Sequence, residues 1–552
     1  MKRKKELLVI LSSLLVIVLS VSVAYFTTKI LGTGKDISVT SADLKVIFTS
    51  GSGTINGTNI EPGWTSGENT FTVKNESNGT YKYNIIIKDL VNTFVTTGFL
   101  QYKIASTDGG YNMSEFKDIP KSSEPKDTIL AYSVEIPKGK THSYSVEFKY
   151  TNSTSENQNA DMGKTLTGKI FITKGTEKPT LANQLLEDNP TISTRTDFNT
   201  PFTTNTANTL YKATENGTDV YYFAGQDTAN TPVNNWVKFG KYQNDYIKYI
   251  GYNVPMYKEY STKEECTSAP SYNEYCTEIK YASAGDDIYW RIIRTNADGS
   301  LRLLYHGTST TATYAYIGES TFNASRDNPK YVGYMYGDSD TTLEEARTNT
   351  NDSTIKTYID NWYANNMTSY TKYLSTTAVY CNDRELPSGA SYSTTERLEF
   401  KAYDRLDLEN KEKKASPTYD CTNNNDKFTV DASTGNGKLT YPIALVTADE
   451  IAYAGGVYRT DAPMWYYTNS SLESSTGNKI WWSLSPYIWA ARYASYSWGV
   501  HGSANPGYMI TDGVTAMHSV RPAVSLKACV KYSTGNGTSE TPYEIVETSS
   551  GC

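Results

Sequence analysis

Six cysteines and four histidines are the side chains of this chain best suited to metal binding, redox work or nucleophilic catalysis. The cysteines stand at Cys266, Cys276, Cys381, Cys421, Cys529 and Cys552. No two have the C-x2-C spacing of a structural zinc site and no histidine neighbours a cysteine pair, so disulfides are the expected chemistry. Closing the shortest loops predicts Cys266 with Cys276, Cys381 with Cys421, and Cys529 with Cys552. The sequence holds no H-E-x-x-H, no G-x-S-x-G and no P-loop pattern. His306, His501 and His518 could meet near Asp512, although scattered histidines are more often structural. His142 falls inside an alternating run and reads as a solvated strand residue. Asp338, Asp340, Glu344 and Glu345 form an acidic cluster that lacks the glycine and the twelfth-position glutamate of a calcium loop, and read as a solvated surface. No catalytic residue, metal ligand or cofactor is expected.

Recognition chemistry is better represented. Tyrosine occurs 46 times against 15 Phe and 9 Trp, in a background of Ser, Thr, Asn and Gly, the mixture from which adaptable binding surfaces are made. Many of these rings are expected simply to fill half-buried strands. The densest stretch runs from Tyr487 to Met517, where Tyr487, Trp489, Arg492, Tyr493, Tyr496, Trp498, His501, Asn505 and Tyr508 are spaced by small residues. Flat rings give contact area, and Arg or Asn gives directed hydrogen bonds, so these nine residues are the expected ligand face for an extracellular protein or glycan. Trp489 and Trp498 as core residues are the competing reading.

The compartment follows from the first residues. Lys2, Arg3, Lys4 and Lys5 precede an apolar run from Leu7 to Ala24, the form of a secretion signal, with cleavage expected after Ala24. A run of this length also approaches a membrane span, so an uncleaved N-terminal anchor fits as well. Either way residues 1–31 direct export to the cell surface or medium. Net charge is −7, which argues against nucleic acid as a partner.

Elements must position these residues, and their pattern changes along the chain. From about 35 to 174 the sequence alternates as strands do, in Tyr81, Tyr83, Ile85, Ile87 and again in Tyr144, Val146, Phe148, Tyr150, which predicts an all-β sandwich. Residues 175–207 are polar, contain Pro179 and Pro190, and read as a linker with a short helix at Leu181 to Glu187. Beyond 208 the pattern is α+β. Trp290 to Arg294 and Leu301 to Tyr305 flank Asp298-Gly299, a hairpin signal. Ile355, Tyr358, Ile359 and Trp362 have helical spacing behind Ser353. Thr447 and Glu450 form a capping box for a helix over Ala448 to Ala454 that stops at Gly455-Gly456. Residues of about 241–285, with the first cysteine pair, read as a stapled insertion.

Two resemblances attach to these motifs. The lysine-rich leader ending in Val23-Ala24-Tyr25-Phe26-Thr27, followed by a jelly-roll-like or immunoglobulin-like sandwich, resembles the TasA/camelysin class of exported fibre and matrix proteins. That resemblance implies self-assembly, and raises a metalloprotease activity whose zinc ligands the residues do not supply. Trp290 to Arg294, Leu301 to Tyr305, Trp481-Trp482-Ser483-Leu484-Ser485-Pro486 and Val520-Arg521-Pro522-Ala523-Val524 resemble, in order, an exported domain family of unknown function common in Firmicutes. The strand, capped helix and Gly-Gly stop are similar to a segment of the C-type-lectin-like fold shared by formylglycine-generating enzymes and many binding modules. The copper-binding cysteines of those enzymes have no counterpart between Trp481 and Val520, so the resemblance implies a fold and a ligand-bearing region at 487–508 but no chemistry. The expectation is a multidomain chain: N-terminal apolar helix, all-β sandwich, and an α+β C-type-lectin-like module over 208–552. Its expected role is adhesion, with a structural fibre subunit as the alternative.

Overall fold

Alternating strands dominate the computed structural model of the chain. It describes residues 37–552 apart from 42–43, 51–54, 57–61, 97, 114, 155–156, 205, 229–230, 254–255, 272–274, 313, 410–412, 466–478, 491–493, 501–504 and 506. The leader at 1–31 lies outside the described residues. No helix among the described residues is long and apolar enough to cross a membrane. The chain divides between Lys178 and Pro179 into two compact units.

The first unit is built from a six-stranded and a four-stranded sheet, both antiparallel in the pairings that carry its core. In the strand Thr141–Tyr150 every second residue is buried, the signature of a strand with one face on a core. That face supplies Tyr144, Val146, Phe148 and Tyr150, and the opposite sheet supplies Tyr83, Ile85, Ile87, Leu166 and Ile172, to one shared cluster. The arrangement is sandwich-like. His142 is not solvated as its sequence setting suggests. It is 3% exposed, and its Nδ1 lies 2.9 Å from the Tyr83 hydroxyl, which itself lies 2.5 Å from that of Tyr144. Burial lowers the His142 pKa, with Asp108 pulling the other way.

In the second unit the strand Asp287–Thr295 pairs with three neighbours, Thr218–Tyr222, Trp236–Lys241 and Leu301–Gly307. The turn at Asn296 to Ser300 closes the hairpin: Gly299 takes φ +78°, and the Asp298 carboxylate accepts from the Ser300 amide at 2.9 Å. The strand Pro522–Leu526 continues the sheet, lying between Leu301–Gly307 and Ile443–Leu445. The helix Thr354–Asn366 buries Ile355, Ile359, Trp362 and Tyr363 and is capped by Ser353. The helix Ala448–Ala454 carries the capping box of Thr447 and Glu450 and ends at Gly455, φ +124°.

Residues 179–207 fold with this unit instead of linking to it. The helix Leu181–Asp188 places Leu181 and Leu185 in the core, and the Leu181 amide donates to the Val530 carbonyl at 2.8 Å. Two leucines four residues apart give too short an apolar stripe to stand out among polar residues, but burying each is worth about 1.5–3 kcal/mol. The cysteines pair as the shortest loops predict: Cys266–Cys276, Cys381–Cys421 and Cys529–Cys552.

Candidate binding face

The insertion folds as a small sheet of its own. The strand Tyr246–Asn253 is central, flanked antiparallel by Met256–Tyr260 and Tyr275–Ala282. The helix Lys263–Ser268 connects the two outer strands and is fixed by a capping box of Thr262 and Glu265. Cys266, fully buried, ties that helix to the third strand through Cys276. In this register Tyr252 lies directly opposite Tyr257 on one side and Tyr275 on the other. Residues directly opposite in a sheet put their side chains on the same face, so three tyrosines form one row across three strands.

The row has a buried end and an open end. Ile250, two residues before Tyr252 and therefore on the same face, is 4% exposed. Its partners are Glu259 and Thr277. Tyr275 is 62% exposed, while Tyr252 and Tyr257 are half-buried. The Tyr252 and Tyr257 rings are 6.2 Å apart at 45°. Lys479 Nζ sits 4.6 Å from the Tyr257 ring centre and 3.3 Å from its hydroxyl, and binds Glu319 at 2.7 Å. The third strand also contributes to a second group of rings: Tyr281 packs edge-on against Tyr314 and Tyr316 at 5.4 and 5.8 Å, and Tyr314 is 43% exposed.

Of the nine residues expected to form the ligand face, four lie on two paired strands. Tyr487 and Trp489 belong to the strand Trp481–Ala490, in which nine of ten residues are buried. Tyr487 donates to Asp407 at 2.5 Å and lies 3.1 Å from the Tyr458 hydroxyl; Trp489 is wholly enclosed. Both are core residues and offer no ring face to a ligand. Tyr496 and Trp498 lie in the strand Ala494–Val500, pairing with Gly513 and Thr511. Asn505 is exposed and Tyr508 half-buried. Arg492, Tyr493 and His501 fall outside the described residues. Of the histidines, His518 Nε2 meets Asp512 at 3.0 Å, and His306 is buried elsewhere against Trp236, ring centres 4.3 Å apart.

A polar cavity of about 20 Å³, room for one water, lies elsewhere in the unit among Glu215, Arg294, Arg302, Asp383, Arg405, Asp449 and Glu450. Arg294 grips Glu215 with two bonds of 3.1 Å and Glu450 with one of 3.0 Å. Arg405 grips Asp449 at 2.9 and 2.7 Å and also binds Asp383. Arg302 lies 3.7 Å from Glu450 and stacks on Tyr380 at 3.7 Å. Burial opposes the Arg294 and Arg405 charges, but their carboxylate partners outweigh it and raise both pKa values. Each guanidinium is thus committed to a carboxylate, and the cluster is an internal strut between elements. The acidic residues at 338–345 are likewise engaged locally: Asp338 accepts from Asn351 at 2.6 Å, and Glu345 closes a capping box with Thr342. No group of three or more potential metal ligands occurs among the described residues.

Comparison with protein-family models, curated proteins and solved structures finds no match to this chain.

Proposed function

We propose that this chain is an exported surface-binding protein whose second unit holds a glycan against the row Tyr257, Tyr252 and Tyr275. The observation that carries the reading is the register: three rings aligned across a sheet that a disulfide and a capped helix hold rigid. A rigid aromatic row costs little entropy on binding, and tyrosine offers both a flat face for sugar C–H groups and a hydroxyl. Exposed Thr277, two residues after Tyr275 and on the same face, can bond sugar hydroxyls. The described large apolar side chains that stand exposed are Val95, Met162, Ile192, Tyr275 and Tyr314, scattered side chains and not the extended apolar patch that a stable protein interface uses. Three disulfides support an oxidising, extracellular compartment, in keeping with the basic, apolar leader. The C-type-lectin-like module and the TasA/camelysin-like sandwich are part of the same proposal.

The alternative, a fibre subunit, would use a free sheet edge. The long edge strand Ser122–Ile136 carries Pro125 and Lys126 in its exposed half, residues by which edges resist pairing, so adhesion is the better-supported reading. Exposing the purified chain to an array of extracellular glycans and cell-wall polysaccharides tests it. Retention on a defined set of glycans is expected; a blank array together with filament formation would favour the fibre.

A further inference from the structure

One carboxylate of the tyrosine-bearing sheet meets two other elements of the unit at once. Glu259, partly buried, accepts hydrogen bonds from the Tyr358 hydroxyl at 2.5 Å, the Tyr281 hydroxyl at 3.1 Å and the Glu319 amide at 3.1 Å. Tyr281 belongs to the insertion itself. Tyr358 comes from the helix Thr354–Asn366 and Glu319 from the strand Glu319–Thr321, so Glu259 grips two other elements, beside the Tyr246 hydroxyl, which donates to the Ile317 carbonyl at 2.7 Å. Gly318 makes the close approach possible: it takes φ +129°, and a Cβ there would collide with the Tyr358 hydroxyl and the Glu259 carboxylate.

The three donors are neutral, and the nearby charges pull both ways, Lys248 favouring the anion and Glu319 opposing it, while burial outweighs both. Among the described residues no ion pair forms to Glu259. Lys248, on the neighbouring strand, bonds Ser261 at 3.2 Å and lies over the rings of Tyr246 and Tyr358 at 5.4 and 5.1 Å; Glu265 is the other acid that acts on it. Lys479 is held by Glu319 Oε1 at 2.7 Å. Glu319 Oε2 is buried with no hydrogen-bond partner, and its charge repels that of Glu259. Tyr246, Tyr281, Tyr316 and Tyr358 complete the surroundings, all held neutral by burial.

We infer that Glu259 is a protonation-controlled clasp: with its proton on, the insertion sits firmly against the helix Thr354–Asn366 and the strand Glu319–Thr321, and with its proton off the grip loosens. Gaining the proton removes the repulsion from Glu319. Burial, with Glu319 adding to it and Tyr358 and Lys248 opposing, raises the Glu259 pKa from 4.5 to about 7. A group whose pKa is raised by docking binds its proton more tightly when docked. Docking is therefore strongest below about pH 4.5 and weakens as pH rises through about 7, by up to roughly two orders of magnitude in the docking equilibrium. The clasp goes beyond the glycan reading and stands without it; if that reading holds, the same proton sets how firmly the tyrosine row is presented.

Hydrogen exchange followed by mass spectrometry on the full chain, corrected for intrinsic rates, tests the clasp at pH 5.5 and 8.5. Protection of peptides from Tyr246 to Ala282 is expected to fall at least tenfold at the higher pH, while peptides from Asp287 to Thr295 change less than twofold. In Glu259→Gln, a neutral mimic, the fall is expected to vanish; in Glu319→Gln its midpoint moves to lower pH, because the repelling charge is gone. Equal protection of the wild-type insertion at both pH values, or an unchanged fall in Glu259→Gln, would overturn the inference, and the wild-type and Glu319→Gln comparisons decide it should Glu259→Gln fail to fold.

Discussion

Glu450 does two jobs with one carboxylate. It returns to the Thr447 amide at 3.0 Å to close the capping box, and it faces Arg294 at 3.0 Å and Arg302 at 3.7 Å. All three charged side chains are almost wholly buried, so removing the acid leaves Arg302 without a carboxylate and Arg294 with Glu215 alone. Glu450→Gln is expected to lower unfolding free energy by about 3–5 kcal/mol, measured by urea titration. Burial raises the Glu450 pKa, but the two arginines outweigh it and hold it below its ordinary value; a depressed carboxyl stabilises the fold above its unfolded pKa and ceases to do so as pH falls. The difference between wild type and Glu450→Gln is therefore expected to shrink in acid. Tyr487→Phe, which removes the 2.5 Å bond to buried Asp407, is expected to cost about 1.5–3 kcal/mol. The capping role of Glu450 is legible in the sequence because T-x-x-E ahead of an apolar run is a local code. The burial of Tyr487 is not, and that of Trp489 is only one of two readings the sequence allows. Their strand is covered on both faces, and a fully enclosed run of aromatics has the same composition as a presented one.

Elements show the same limit more sharply. The pairing of Cys266 with Cys276 needs only loop length, and the alternation of the strand Thr141–Tyr150 needs only period two. The tyrosine row needs more, because Tyr252, Tyr257 and Tyr275 come together only when two strand registers are fixed. A one-residue slip in either would send a ring to the other face. The disulfide is what pins the second register, placing Cys276 opposite Gly251, one residue pair from the row. Replacing both Cys266 and Cys276 with Ser is expected to destabilise the insertion by about 2–3 kcal/mol, the entropy of so short a loop. Hydrogen exchange should show Tyr275–Ala282 losing protection while Asp287–Thr295 keeps it; uniform loss across the unit would contradict a locally stapled sheet.

For the whole molecule, the boundary that matters is the one at Lys178 and Pro179. Composition places a linker over 175–207, since prolines and polar residues dominate there. Tertiary packing overrides it: Leu181 and Leu185 complete the core, and Arg195 donates to the Ala452 carbonyl at 3.3 Å. A fragment of residues 179–552 is expected to unfold cooperatively near the Tm of that unit in the full chain. One beginning at 208 is expected to lose several kcal/mol, as two buried leucines and their helix go missing; equal stability of the two would show that the segment is dispensable.

Binding by the aligned tyrosines is open to direct measurement. Dissociation constants for the strongest array-selected glycan, measured by calorimetry on wild type and on Tyr252→Ala/Tyr257→Ala/Tyr275→Ala, test this most directly. The expected result is a Kd at least about a hundredfold weaker in the variant, equivalent to ~2.7 kcal/mol, with protection of Asp287–Thr295 unchanged. An unaltered Kd in a folded variant would place the ligand elsewhere and contradict the claim.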